Sequence, residues 1–486
     1  MASGDRARGA RQAGLSFIFE APVHAADFAG KRVTIVGLGS GRTAVGIARF
    51  LVANGARVTI SDPQPREQLA TGIARLGDLD VELVFGPSSD DHALADPDYV
   101  FVIPGIRPRS PTILRARQRD IPVLTEMALF FRLCPAEIVG VTGTKGKSTT
   151  MTLVSRILQT GPRRVHVGGN IGTAILQELP NIGKDDVVVL ELSSFQLETI
   201  GRSPHVAVVT NVLEDHLDHH GTREAYVAAK SNIVRWQGAR DVAVLNLDDP
   251  TSLALHTGAD SELRGYSLVL RPRRGAFLDD AERLVLADGE KREVVCAASE
   301  LRVPGRHNVS NALAAAVVGG LYAIPADAIA SVLRAFEGLP HRLEFVVERA
   351  GVWWVNDSQG TTPFATIPAI EAYTRPPIVI LGGVGKGADF AELGRTVAQR
   401  ARGAVLIGQA ADEIESAIVA AKRTHPASAV QVERAVTLED AVERARVMAR
   451  PGDVVLLSPA AASFDMFKSY EERGDRFREL ARNLPA

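Results

Sequence analysis

Short apolar runs rich in valine and isoleucine recur along the chain. Most are followed by a glycine-rich or polar turn and then by text of helical spacing. RVTIV leads through GLGSG into TAVGIARFLVANG, Gly55 offers a helix C-cap, and RVTISD reads as the next strand. YVFVIPGI, residues 99–106, is a further buried strand. The pattern restarts at EIVGVTGTKGKST, with DVVVLEL, HVAVVTN and DVAVLNL as continuous apolar strands. Such runs suit a parallel sheet covered on both faces. It restarts again after GLPHRLEF, where VWWVND, PIVILGG, GAVLIGQ and DVVLLSP are strands. Helices are expected there near 389–401, 410–421 and 438–449. This alternation predicts three α/β domains, with boundaries near 127 and 340. Residues 258–300 are polar and receive no assignment.

Composition narrows the function classes. The chain has 486 residues, 46% hydrophobic and 23% charged, with a net charge of −2. That length suits several cores. No basic footprint points to nucleic acid or to a membrane surface, and no apolar run is long enough to span a bilayer. Cys134 and Cys296 stand far apart, without metal or redox spacing, and read as packed residues in a reducing compartment. LSFIF, cut short by Glu20, is too brief for a signal-peptide core, so a cytoplasmic location is expected.

The chemistry gathers where strands end. GTKGKST misses the usual G-x-x-x-x-G-K-[ST] spacing, because Val141 stands where the first glycine would be. Gly143 and Gly146 still let the backbone curl round a phosphate. Lys147 can reach β- and γ-phosphates, and Ser148 can ligate Mg²⁺. Lys145 repels Lys147 unless an anion lies between them. GLGSG, with Asp62 closing the next strand, is a weaker phosphate loop, because Arg42 occupies the third-glycine position. Glu191 ends DVVVLEL, where it could hold Mg²⁺, although a lone strand-end glutamate is more often solvated. NVLEDHLDHHGT clusters Glu214, Asp215, His216, Asp218, His219 and His220. Zinc ranks low there, because the close histidine and carboxylate pairs lack a third ligand at a supporting spacing. Lys230 in YVAAK reads on residue type alone as a snorkelling lysine. NDSQGTTP, GGVGK and SPAAASFDMFKSYEERG are polar or anion-binding strand ends, each weak alone.

Taken in order, these motifs resemble the Mur ligase family, from about residue 31 to the C-terminus. GGNIG, PGRHNVSNALAA and GLPHRLE fall in the same register, and LELSSFQLE and SPAAASFDMFK…ERG resemble the MurD branch. The resemblance implies a Rossmann-like N-terminal domain (1–127, with 1–30 as an extension). It also implies a central P-loop ATPase-like domain of parallel or mixed sheet (128–340) and a Rossmann-like C-terminal domain (341–486). It implies a monomeric ATP-dependent ligase of peptidoglycan precursor synthesis. That enzyme joins D-glutamate to UDP-N-acetylmuramoyl-L-alanine through an acyl phosphate.

By resemblance, Gly143, Thr144, Lys145, Gly146, Lys147, Ser148 and Thr149 hold ATP, with His307, Asn308 and Asn311 at the adenine and Arg342 and Asp357 near phosphate and ribose. Two Mg²⁺ sites would draw on Ser148, Glu191, His216 and a carbamylated Lys230, and Lys147, Glu191, His216 and Lys230 would be catalytic. Gly39, Ser40, Gly41, Asp62, Asn170 and His216 would meet the UDP substrate; Thr361, Lys386, Ser463 and Tyr470 the amino acid. Gln359 and Thr362 depart from the family's N-D-S-K-[AG]-T-N, and Gln359 removes a positive charge. Two other readings remain: a related or folylpolyglutamate-type ligase for a different amino acid, and a nucleotide-gated binding protein.

Overall fold

The computed structural model describes residues 24–485, apart from 40–41, 105, 107–109, 170–173, 304, 386 and 426–427. The expected sites Ser40, Gly41, Asn170 and Lys386 lie outside the described residues. The chain divides into two units, Met1–Leu301 with Arg306–Arg334, and Arg302–Gly305 with Ala335–Ala486. The three sheets expected from strand–helix alternation are present, two in the first unit and one in the second.

In the first unit, β1 (Arg32–Val36), β2 (Arg57–Asp62), β3 (Glu82–Phe85), β4 (Tyr99–Val102) and β5 (Val123–Leu124) form a parallel sheet ordered β3-β2-β1-β4-β5. The helix Arg42–Ala53 follows β1 and buries Ile47, Ala48 and Leu51 against this sheet's core, which includes Ile35 and Ile60. The second sheet comprises β6 (Glu137–Thr142), β7 (Val165–Gly169), β8 (Val187–Glu191), β9 (Val206–Val209), β10 (Val242–Asn246), β11 (Glu262–Ser267), β12 (Arg274–Leu278), β13 (Arg283–Asp288) and β14 (Lys291–Ala297). Its order is β14-β13-β12-β11-β10-β9-β6-β8-β7, parallel from β12 to β7 and antiparallel through β12-β13-β14. Every residue of β8 and β9 is buried, as continuous valine-rich strands between helical layers should be.

The second unit holds β15 (Glu344–Arg349), β16 (Val352–Asn356), β17 (Ile378–Gly382), β18 (Gly403–Ile407), β19 (Gln431–Arg434) and β20 (Val454–Leu457). The sheet runs β15-β16-β20-β17-β18-β19, and only β15 is antiparallel. Helices Ala391–Arg400, Ala411–Thr424 and Leu438–Met448 match the expected helical stretches. The unassigned stretch 258–300 contains β11 to β14, which extend the central sheet at one edge. β15 and β19, also not assigned from the sequence, are the two edge strands of their sheet.

Candidate active site

The loop after β6 is shaped by two glycines. Gly143 has φ +156°, and a Cβ there would stand 1.8 Å from Thr210 Oγ1. Gly146 has φ +81°, and a Cβ would stand 2.4 Å from Asn311 Oδ1. Any side chain at either position would therefore collide with the groups that hold the loop. Gly146 opens the helix Lys147–Leu158 without a side-chain cap, and the first-turn N–H groups of that helix can meet an anion.

The end of β9 braces the same loop. The backbone N–H of Thr144 donates to Asn211 O at 2.8 Å, and that of Lys145 to Asn211 Oδ1 at 2.9 Å. Thr210 Oγ1 donates to Lys145 O at 2.5 Å, and Thr144 Oγ1 lies 2.9 Å from Tyr226 Oη. Thr150 Oγ1 donates to Asn311 Oδ1 at 3.2 Å, which ties the helix Arg306–Leu321 to the loop. Asn308 is linked to Asn311 at 3.3 Å, and His307 lies exposed on the first turn of that helix. Thr210, Asn211 and Tyr226 were not singled out from the sequence. Their one signal was position: Thr210 and Asn211 lie where a strand ends beside the glycine loop.

Charged groups gather beneath the loop. Lys147 Nζ donates to the carbonyls of Gly143 and Thr144, both at 3.0 Å. Ser148 is buried, Thr149 is half-buried and Lys145 is exposed. Glu191, opposite Val141 in the β6–β8 register, is 2% exposed, so it is not a solvated strand end. Lys230 is 1% exposed and does not snorkel. Its Nζ donates to Gly143 O at 2.9 Å and lies 4.8 Å from the centre of the Tyr226 ring. Burial, with the charge of Lys147 next, holds the Lys230 amine well below the usual lysine range, against the opposing pull of Asp215 and Glu191.

His216 lies beside Tyr226, with 6.5 Å between ring centres. It has φ +53°, is exposed, and packs its ring 4.9 Å from Phe195. The structure thus brings Lys147 and Lys230 to one carbonyl, Gly143 O, with Glu191 near enough to act on Lys230, while His216 reaches this group only by way of Tyr226. Ser148 and Glu191 supply the oxygen donors Mg²⁺ prefers; a lysine amine does not, and a carbamate would.

At the other sheet of this unit, Asp62 does not project outward. Its Oδ2 accepts from the backbone N–H of Leu38 at 2.8 Å and of Gly39 at 3.3 Å, and its Oδ1 from Gln64 at 2.9 Å. The carboxylate is engaged in shaping the turn after β1.

In the second unit, the candidate residues lie at the C-terminal ends of parallel strands, where ligands bind in open α/β sheets. Asp357 follows β16; its Oδ1 accepts from Leu343 N at 3.1 Å and its Oδ2 from Ser458 Oγ at 2.6 Å. Burial pushes that carboxyl up to about 6. Gln359 Oε1 accepts from Arg342 Nε at 3.1 Å. Thr361 is half-buried beside this turn, its N–H donating to Gln359 O at 2.8 Å. Ser463 Oγ is buried with no partner among the described residues. Tyr470 begins the C-terminal helix and meets His341 edge-on at 6.0 Å. Arg473, not singled out from the sequence, is 1% exposed and joins the two loops through Ser358 O at 2.9 Å and Ala461 O at 3.1 Å.

A glycine loop opening a helix, over a buried carboxylate and a buried amine, defines a nucleotide-phosphate-binding α/β protein. Comparison with known proteins carries this further. Residues 31–125 match the Mur ligase MurD-like N-terminal domain, 141–319 the Mur ligase middle domain, and 341–461 the Mur ligase glutamate ligase domain. The chain belongs to the Mur ligase family, the ATP-dependent, ADP-forming ligases of peptidoglycan precursor synthesis. It is 41% identical to the UDP-N-acetylmuramoylalanine–D-glutamate ligase of Pelotomaculum thermopropionicum, over 94% of this chain and 99% of that one. It is 40% identical to the ligase of the same name from Symbiobacterium thermophilum, over 93% and 98%. In fold it is similar to the UDP-N-acetylmuramate-alanine ligase MurC of Thermotoga maritima, with a TM-score of 0.56 and 20% identity over 93% of this chain and 99% of that one. Members of the family generally use Mg²⁺. Among the described residues, no helix is long and apolar enough to cross a membrane.

Proposed function

We propose that this chain adds D-glutamate to UDP-N-acetylmuramoyl-L-alanine in the cytoplasm, as a monomer, with Lys147, Glu191, His216 and Lys230 as its catalytic groups. Its domains on this reading are 1–127, 128–340 and 341–486. The observation that carries the proposal is the cluster at the glycine loop, where Lys147 and buried Lys230 both donate to Gly143 O and Glu191 is near enough to act on the Lys230 charge.

Forming an amide from a carboxylate requires an activated acyl group. The γ-phosphoryl group of ATP passes to the alanyl carboxylate, giving an acyl phosphate and ADP. The amine of glutamate then attacks the acyl carbon and phosphate leaves. The loop N–H groups and Lys147 hold the phosphates and offset charge as one anion approaches another. Mg²⁺, when bound, supplies further charge neutralisation on the phosphate oxygens. Ser148 and Glu191 would hold it at two sites, with His216 and Lys230.

Lys230 would serve as a carbamate. Its neutral amine attacks carbon dioxide, one N–H proton leaves, and the buried amine becomes an oxygen-donor carbamate anion. Asn308, Asn311 and His307 would flank the adenine; Arg342 and Asp357 would face phosphate and ribose. Gly39, with Ser40, Gly41 and Asn170, would meet the nucleotide-sugar. Asp62 would serve that site by holding its turn. Thr361, Lys386, Ser463 and Tyr470 would hold glutamate; the Ser463 hydroxyl, without a partner among the described residues, supports that role.

Lys147→Ala tests the reading. Phosphate release should fall to background while calorimetry still detects the UDP substrate. Full turnover in that variant would remove Lys147 from the mechanism.

A further inference from the structure

The histidines of NVLEDHLDHHG beyond His216 have no role in the ligase reaction described above. The fold places them against a residue far away in sequence. The one-turn helix Leu217–His220 lies beside the helix Ser194–Ile200, and Glu198 of the latter meets His219 and His220. The donor atoms of Glu198, His219 and His220 all lie within 4.8 Å of one another. Phe195 forms a common floor, its ring centre 4.4 Å from that of His219 and 5.6 Å from that of His220.

We infer that Glu198, His219 and His220 form a second metal site, for a divalent transition ion of the zinc, cobalt or nickel class. Two imidazoles and one carboxylate suit those ions; Mg²⁺ prefers oxygen alone. Ligands about 2.0–2.1 Å from a tetrahedral zinc stand roughly 3.3 Å apart. His219 Nε2 and Glu198 Oε2 already stand 3.3 Å apart, with their side chains 9% and 18% exposed. His220 Nε2 lies 3.0 Å from Ser194 Oγ and gives up that contact to complete the set. The ion would pin the Leu217–His220 turn to the Ser194–Ile200 helix. It would thereby fix the left-handed residue His216, whose ring shares the Phe195 floor. This site shares no ligand with the Mg²⁺ positions proposed above, so it stands or falls apart from them.

Cobalt(II) is the probe. The full chain, with Mg²⁺ and ADP in excess, is titrated with Co²⁺ and followed by visible absorption. A ligand-field band of low coordination number is expected. Glu198→Gln and His219→Gln should each weaken Co²⁺ binding by at least ~10-fold, and His216→Gln should leave the band in place. Because a variant can disturb folding, the unaltered chain is also followed by NMR on Zn²⁺ addition, where the His219 and His220 imidazole signals should shift together. A band that depends on His216 and ignores Glu198 and His219 overturns the inference. So does an unchanged pair of imidazole signals.

Discussion

Lys230 is the residue at which residue type misleads most. A lysine on an apolar helix face ordinarily carries its charge to water. Here the amine is enclosed, donates to Gly143 O, and is held below its usual range by burial and by Lys147. An unprotonated amine is the form that reacts with carbon dioxide. With ¹³C-bicarbonate, a carbamate carbon signal is expected from the native chain and not from Lys230→Arg. Activity should fall in CO₂-depleted buffer and return when bicarbonate is added. Undiminished activity after depletion, with no carbamate signal, would show that Lys230 works as a plain amine. Glu191 was similarly ambiguous in the sequence, because strand ends are usually wet. Its burial follows from β7 and β6 pairing on either side of it. Glu198 could not be found as a partner of His219, because only folding brings residues 198 and 219 together.

Among elements, the parallel strands were the most legible. β8, β17 and β18 are buried along their whole length, so valine, isoleucine and leucine occupy nearly every position. β11 to β14 were harder to read: β12 and β13 bury half or more of their residues, but β11 begins half-buried and four of the seven residues of edge strand β14 are exposed. Arg264 and Arg274 both pair with Glu262, which dilutes the apolar pattern. β19 is short, and β15 and β19 are edge strands in which half or more of the residues are charged or polar, as edge strands tend to be.

Element contacts also carry a pH response. Glu126 starts the helix Glu126–Leu133 and accepts backbone hydrogen bonds from Ile175 and Leu176, joining that helix to the turn Ile175–Asn181. Burial pushes its carboxyl from the ordinary 4.5 up to about 7. The folded-state value lies above the unfolded one, so the native protein favours the protonated form. The associated stability is fully present below the unfolded value and is lost as pH rises through about 7. Glu126→Gln should match the native chain near pH 4.5 and exceed it at about pH 8, by up to about 3 kcal/mol. Urea unfolding at the two pH values measures this. A variant less stable than the native chain at the higher pH would show that the ionised carboxylate is the stabilising form.

At the scale of the molecule, each sheet presents its candidate ligand-binding loops at strand C-termini. The turn after β1 is shaped by Asp62, the turn after β6 is clamped by Thr210 and Asn211, and the turn after β16 is tied down by Arg473 and Ser458. The glycine-rich turns and the Lys-Ser pair were legible, because their chemistry is local. The clamps were not, because Asn211, Tyr226 and Arg473 act across tens of residues and carry no motif of their own. Gln359 accepts a hydrogen bond from Arg342 at this turn, so an uncharged amide stands beside the arginine. The most direct test of the central claim is ATP-dependent phosphate release with UDP-N-acetylmuramoyl-L-alanine and a panel of amino acids that includes both enantiomers of glutamate. The account predicts release only when ATP, the UDP substrate and D-glutamate are all present, with an amide product of matching mass. Release supported by a different amino acid, or independent of both substrates, would contradict it.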